Sequence, residues 1–81
     1  MLKLKIVSPE KILFTGEVES VKVPGVVGEF EILNNHAPIV SALKKGKVEY
    51  ATAEGRKTLE VAGGFVEVLK NDVSLCVETA E

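Results

Sequence analysis

The segment Leu2-Lys3-Leu4-Lys5-Ile6 decides the fold class, because its apolar and charged side chains alternate with a period of two. Successive side chains of a β-strand point to opposite faces, so this pattern predicts one packed face and one solvated face. The same alternation recurs over residues 29–32, 47–50, 58–61 and 72–78. The chain is therefore predicted to consist of short, half-buried strands.

Glycine-, proline- and asparagine-containing pairs separate these segments at short intervals, and such residues favour turns. These pairs are Thr15-Gly16, Pro24-Gly25, Asn34-Asn35, Lys45-Gly46, Glu54-Gly55, Gly63-Gly64 and Asn71-Asp72. They predict about eight strands, with a β-bulge or a change of sheet where the alternation slips over residues 18–21. The one helix candidate, residues 36–43, contains Pro38, which favours a strand or turn instead. We expect an all-β fold, a small β-sandwich or barrel.

Length and composition bound the function. The 81 residues form a single domain, 1–81, with 46% apolar and 27% charged residues. A formal net charge of −2 does not indicate the basic surface that is typical of nucleic-acid-binding domains. No apolar run approaches the roughly 20 residues of a membrane-spanning helix, and the start lacks the apolar region of a signal peptide. A core this small is marginal, which suits a domain with a permanent partner.

Residues that could carry chemistry are few. His36 is the only histidine and Cys76 the only cysteine, and nothing in the sequence brings them together as a nucleophilic pair. Glu29 and Glu31 share one strand face, either as a solvated surface or as a docking surface. The sequence therefore predicts no catalytic residue, no metal site and no cofactor, and it indicates a binding or structural component.

Two turn regions have open interpretations. Val26 and Val27 lie between Gly25 and Gly28, so these valines either fold inward or press against another molecule. Lys44, Lys45 and Lys47 form a basic cluster, which is usually a solvated turn. The chain has too few aromatic residues to form a stacking platform for single-stranded nucleic acid, so we discount that function.

Several ordered stretches resemble the epsilon-subunit family of rotary F-type ATP synthases. They cover residues 4–10, 14–18, 24–33, 35–46, 63–68 and 73–75, and the most specific begins Asn35-His36-Ala37-Pro38. Together they span essentially the whole chain in order, without a large gap. The resemblance implies a β-sandwich of about ten short strands.

The resemblance also implies a function. It predicts a non-catalytic central-stalk subunit that binds the gamma subunit and the membrane c-ring. Gamma, epsilon and ring turn together in this family, so proton-driven rotation reaches the alpha and beta subunits of the catalytic head. The expected location is the cytoplasmic face of the bacterial inner membrane, as a peripheral part of the complex.

Site residues follow from the resemblance position by position. The expected c-ring contacts are Val27, Gly28, Glu29 and Phe30. The expected gamma contacts are Ser8, His36, Ala37, Pro38, Ser41 and Ala42. Because the ring loops of the family carry a basic residue, Glu29 is the expected charge partner.

Two expectations concern what most family members add. The chain stops at residues 78–81, about where the linker to a C-terminal helical hairpin begins in the family. We expect a short form without the helical hairpin, and so without hairpin-based inhibition or ATP sensing.

The alternative function is a swinging carrier domain of the lipoyl or biotinyl type, with Lys70 at the tip of a β-hairpin. Its neighbours Leu69 and Asn71 do not match the carrier motif.

Overall fold

The computed structural model describes residues 1–80, which form eight β-strands. In chain order these are β1 Leu2–Val7, β2 Ile12–Val18, β3 Ser20–Gly25, β4 Gly28–Ile32, β5 Ile39–Leu43, β6 Gly46–Thr52, β7 Gly55–Leu69 and β8 Asp72–Thr79. Residues 1–80 contain no helix that is long and apolar enough to cross a membrane. The all-β class is confirmed. The alternation predicted about eight strands, and the resemblance implied about ten.

The strands form one continuous sheet that folds over into two layers. Their order is β2-β1-β8-β7-β5-β3-β4, and β6 pairs with both β3 and β7. β1 and β8 run parallel, whereas the other pairs are antiparallel. The 15-residue β7 joins the layers, because its first half pairs with β6 and its second half with β5 and β8. We call β2, β1, β8, the second half of β7 and β5 the first layer; the remainder is the second layer.

The inward-facing side chains of all eight strands meet in one core. Its largest fully buried side chains are Leu2, Leu4, Ile6, Ile32 and Leu75. Burying one such side chain stabilises the fold by about 1.5–3 kcal/mol. The rings of Phe14 and Tyr50 pack with their centroids 4.7 Å apart, and burial raises the pKa of Tyr50. The core confirms the burial that the alternation predicted, because the alternating apolar side chains of β1 and β8 are the buried ones.

Two of the predicted turns are wrong. Gly16 lies within β2 opposite Leu4, and Gly63-Gly64 lies within β7, where the register shifts between Val61 and Gly63. Glycine can mark either a turn or a bulge inside a strand, and its sequence context did not separate the two. The slip over residues 18–21 marks a passage from one layer of the sheet to the other, because Val18 pairs with β1 whereas Ser20 pairs with β6.

Candidate partner-binding surfaces

The outer faces of the two layers differ in chemistry. In the first layer, outward side chains of neighbouring strands form what we call the outer apolar face: Val7, Val40, Ala42, Phe65 and Cys76. Val40 is 69% exposed and Phe65 is 49% exposed, although both are large apolar side chains. Contiguous exposed apolar surface of this kind marks interaction sites on soluble domains.

Strand pairing brings four members of this face into one row. Ala42 lies opposite Phe65, Phe65 opposite Cys76, and Cys76 opposite Val7. Beside the row is a recess of about 480 Å³, lined by Val7, Ser8, Pro9, Gly64, Phe65, Cys76, Val77 and Glu78. Since neighbouring strands are about 4.8 Å apart, the row spans about 14 Å of the surface.

The outer face of the second layer is charged instead. The Lys22 ammonium lies 3.5 Å from a Glu29 carboxylate oxygen, and an Arg56 nitrogen lies 3.8 Å from a Glu49 carboxylate oxygen. Lys22 also lies opposite Glu31 on β4 and opposite Glu49 on β6. The outer face of the first layer also carries charges, such as Glu67 opposite Val40, but its exposed large apolar side chains make it the better docking surface.

Of the residues expected to contact gamma, Ser8 lies beside the outer apolar face. Its backbone N–H donates to the Lys11 carbonyl at 2.9 Å, and its Oγ accepts from the backbone N–H groups of Glu10 and Lys11 at 3.4 Å and 3.3 Å. These bonds close the turn between β1 and β2. Ser8 therefore has a structural role in addition to its place at the recess.

Ser41 and Ala42 point to opposite sides of β5. Ala42 is exposed on the outer apolar face, whereas Ser41 is half-buried and alternates in phase with the buried Leu43. Ser41 lies opposite the buried Val66, and its Oγ donates to the Ala42 carbonyl at 3.4 Å. The structure therefore places Ala42 with the candidate surface and Ser41 on the core side.

His36 lies in the turn before β5, together with the exposed Ala37 and Pro38. Its Nδ1 is 2.8 Å from the Ala37 carbonyl oxygen, which can only accept, so Nδ1 carries the proton in this contact. Asn35, with φ 63°, adopts the left-handed conformation that asparagine tolerates. The turn lies at the opposite end of β5 from Ala42, so the expected gamma contacts extend along the length of the strand.

Asn71 fastens this turn to the rest of the fold. Its Oδ1 accepts a 2.8 Å hydrogen bond from the Asn35 N–H, and its carbonyl accepts one from the Lys3 N–H at 2.8 Å. The β7–β8 turn thus positions the His36 turn through a single side chain.

We expect Asn71→Ala to lower the free energy of unfolding by about 1 kcal/mol, because one side-chain hydrogen bond is lost. Amide hydrogen exchange followed by NMR should show faster exchange at Asn35. The matched control is Asn34→Ala, which removes an exposed amide from the same turn. Equal exchange rates of the Asn35 amide in the two variants would show that the Asn71 side chain does not stabilise this turn.

The expected c-ring contacts lie at the hairpin between β3 and β4. Val27 is 97% exposed and Val26 is 54% exposed, so the two valines point outward rather than folding into the core. We call them the valine tip. Glu29 follows on β4, and its side chain is exposed despite the contact with Lys22. The ring of Phe30 is half-buried and packs against the core.

Residues 1–80 bring together no cluster of three or more histidine, cysteine, aspartate or glutamate side chains suited to a metal ion. His36 lies in the turn before β5, whereas Cys76 lies on β8 opposite Phe65. The chemistry that the surface offers is apolar contact and charge pairing.

The sequence reasoning missed Val40 and Phe65 as surface residues. A usable signal existed, because Ile39-Val40 and Phe65-Val66 place apolar side chains on both faces of their strands. Strands that are apolar on both faces are normally covered on both sides. Only one face of each of these strands is covered by the core.

Sequence comparison identifies the family. Residues 1–81 match the family described as ATP synthase, Delta/Epsilon chain, beta-sandwich domain. The chain belongs to this family. It is 49% identical over 77 residues to the ATP synthase epsilon chain of Leptospira interrogans, covering 95% of this chain and 61% of the relative. It is 45% identical over 76 residues to the ATP synthase epsilon chain of Chlorobaculum tepidum, covering 93% of this chain and 86% of that relative. The chain thus spans about three fifths of the Leptospira protein.

Solved structures share the fold. A chain of the Euglena gracilis mitochondrial ATP synthase, from an OSCP/F1/c-ring structure, superposes with a TM-score of 0.87 at 22% identity. The match covers 94% of this chain and 49% of that one. A chain of the Tetrahymena thermophila mitochondrial ATP synthase central stalk and c-ring gives a TM-score of 0.80 at 14% identity. The epsilon-family resemblance is confirmed, and the carrier-domain alternative receives no support.

Proposed function

We propose that this chain is a non-catalytic rotor subunit of an F-type ATP synthase, which joins the gamma subunit to the membrane c-ring. It has no active site of its own and transmits proton-driven rotation towards the catalytic head. Its place is the cytoplasmic face of the bacterial inner membrane, as a peripheral part of the complex.

The outer apolar face is the main structural support for a contact with gamma. A partner that covers Val40 and Phe65 removes their apolar surface from water. This burial stabilises the complex by about 25 cal/mol per Å² of apolar surface. Ser8 and Ala42 lie at this face, and the His36 turn lies at the far end of β5. Family membership supports gamma as the partner that covers it.

The ring contact is supported by the valine tip. It protrudes from the β3–β4 hairpin, and Val27 is almost fully exposed. The exposed carboxylate of Glu29 lies beside it and can pair with a basic residue of a ring loop. The valine tip adjoins the Ala42 end of β5, where the Val26 N–H donates to the Ala42 carbonyl, so the two proposed contacts lie side by side.

Affinity capture tests the proposal. A tagged chain expressed in its host is purified from detergent-solubilised membranes, and the bound proteins are identified by mass spectrometry. The proposal predicts recovery of gamma and the c subunit together with alpha and beta. Recovery of the chain alone, or with acyltransferase components and a modified Lys70, would overturn it.

We expect Glu29→Lys to weaken the ring contact by about 5–30-fold, the effect of one or two kcal/mol. ATP-driven proton pumping by inverted membrane vesicles should fall accordingly. The thermal midpoint of the isolated domain should change little, because the exposed pair with Lys22 contributes only about 0–1 kcal/mol.

The control for this change is Glu49→Lys, which reverses a carboxylate on the same layer in the pair with Arg56. It should leave pumping intact. Equal loss of pumping in both variants would show a general charge effect. A large loss of stability in Glu29→Lys with normal pumping would make Glu29 a fold residue.

A further inference from the structure

Strand β5 meets the β3–β4 hairpin along a short line of contact. Within residues 1–80, β5 and β3 share one register pair, Gly25 opposite Leu43, whereas β5 and β7 share five. We call this pair and the two backbone hydrogen bonds that flank it the β5–β3 seam. The bonds run from the Val26 N–H to the Ala42 carbonyl at 3.1 Å and from the Lys44 N–H to the Pro24 carbonyl at 2.9 Å.

The seam is the link between the end of this hairpin and the first layer. On its side away from β4, β3 pairs with β6 over Ser20–Lys22 and then with β5 at Gly25, in the part of the chain that the structure describes. Val26 and Val27 of the valine tip follow directly after that pair. A segment held to its neighbour by two bonds can open locally while the core stays folded. The seam therefore determines where the valine tip lies relative to the first layer.

Close packing accompanies the bonds of the seam. Pro24 and Gly25 are both buried there. A Cβ atom added at Gly46, the first residue of β6, would lie 2.8 Å from the Cβ atom of Pro24, closer than such atoms approach in proteins. The start of β6 thus packs directly on the end of β3, and the structure shows the seam in its closed state.

The seam also borders the outer apolar face. Ala42, whose carbonyl accepts the bond from Val26, exposes its side chain on that face opposite Phe65. The next residue, Leu43, belongs to the core and lies opposite Gly64 of β7. Opening of the seam would free this end of β5 from one of its two neighbouring strands. A partner that rests on Ala42 and Phe65 should therefore bind the closed state more tightly than the open one.

We propose that the β5–β3 seam couples the two contacts of the domain: a partner on the outer apolar face holds the seam closed, and the closed seam fixes the valine tip for a second partner. This inference rests on the proposed function, in which gamma is the first partner and the c-ring is the second. A ligand shifts an equilibrium between two states only by its difference in affinity for them. Coupling between two sites typically changes an affinity by about 5–150-fold, and it acts equally in both directions.

Amide hydrogen exchange of the purified chain, followed by NMR, tests the effect of the first partner on the seam. We expect the Val26 and Lys44 amides to exchange faster than the amides in the second half of β7, because the seam opens without global unfolding. Saturation with gamma should slow exchange at Val26 at least about fivefold. The control is the Glu54 amide, which donates to Thr52 Oγ1 at 3.1 Å in the turn between β6 and β7 and should not change.

A variant of the seam separates coupling from direct coverage of the tip by gamma. Lys44→Pro removes the N–H of one seam bond, and Lys44→Ala is its matched control, because it removes the same side chain but keeps the N–H. We expect gamma to slow exchange at Val26 in Lys44→Ala as in the wild type, and to have little effect on it in Lys44→Pro.

The effect on the second partner is measured in the assembled ATP synthase. A photoreactive amino acid at position 27 reports contact of the valine tip with the c subunit. Its cross-linking yield should be at least about fivefold lower in Lys44→Pro than in Lys44→Ala, whereas cross-linking from position 65 to gamma should persist in both. If Lys44→Pro does not fold, Gly46→Ala opens the seam from β6, with Gly63→Ala as its control.

The outcomes separate this inference from the proposed function. Binding of gamma without slower exchange at Val26 would overturn the inference alone. Equal slowing in Lys44→Pro and Lys44→Ala would also overturn it, since gamma would then cover the tip directly. Failure of gamma to bind the chain, or of position 27 to cross-link to the c subunit in the wild-type enzyme, would overturn the proposed contact and the inference with it.

Discussion

Gly64→Ala should destabilise the domain by at least about 3 kcal/mol, the largest loss that we expect from removing or adding a single methyl group here. A Cβ atom at position 64 would overlap the Cys76 carbonyl oxygen and lie 2.8 Å from the Cα atom of Val77. Both of these atoms belong to the backbone of β8, which cannot rotate away. Gly64 also has φ +143°, a conformation that alanine rarely adopts.

The position of Gly64 explains why the clash cannot be relieved cheaply. The residue pairs with Leu43 of β5 on one side and with Val77 of β8 on the other. Any shift of the β7 backbone therefore disturbs two neighbouring strands of the first layer. The outer apolar face is built on these same strands, so partner binding should weaken together with stability.

Thermal and urea denaturation of the isolated chain measure the effect. In a domain of this size each 1 kcal/mol lowers the midpoint temperature by about 4–8 °C, so the change should exceed about 12 °C. Gly63→Ala is the matched control, because its added Cβ would meet nothing nearer than the Leu43 carbonyl oxygen at 3.6 Å. A midpoint for Gly64→Ala equal to that of Gly63→Ala would show that β8 accommodates the methyl group.

Phe65→Glu should weaken binding to gamma at least about 30-fold, the effect of removing an interface residue that contributes about 2 kcal/mol. Phe65 is the largest side chain of the outer apolar face, and it lies in the middle of the row from Ala42 to Val7. A carboxylate there must either lose its water shell in the interface or keep the two surfaces apart. Binding of purified gamma to the chain, measured by calorimetry, gives the dissociation constant.

Stability should change much less than binding does. Because about half of the Phe65 side chain is already in water, the free energy of unfolding should fall by no more than about 1 kcal/mol. The control is Thr58→Glu, which introduces the same charge at an exposed position in the first half of β7. If Phe65→Glu fails to fold, Val40→Glu tests the same face from β5. Wild-type affinity in a folded variant would show that gamma does not cover this face.

The core was predictable from the sequence because it depends on local alternation. In β1 and β8, every second side chain is apolar, and those side chains are the buried ones. The parallel pairing of β1 with β8 was not predictable in this way, because it joins residues about seventy positions apart in sequence. Alternation fixes which side chains of a strand face inward, but it does not select the neighbouring strand.

The candidate surfaces were only partly predictable. The resemblance predicted a ring contact that begins at Val27 and gamma contacts at the Ser8 and His36 turns, and it assigned Ser41 and Ala42 to the same gamma contact. The structure separates them, because neighbouring side chains of a strand point to opposite faces. The resemblance implied a basic partner for Glu29 on the ring, and nothing in the sequence showed that Lys22 of the same domain lies 3.5 Å from its carboxylate. Such contacts between strands depend on the register, which the sequence does not state.

Site-specific photo-cross-linking in the assembled ATP synthase would show directly which face of the domain gamma covers. A photoreactive amino acid is placed at position 65 on the outer apolar face, or at position 58 on the second layer as the control. We expect position 65 to cross-link to gamma and position 58 not to. A cross-link to gamma from position 58, with none from position 65, would place gamma on the opposite side of the domain and overturn the proposed contact with the outer apolar face.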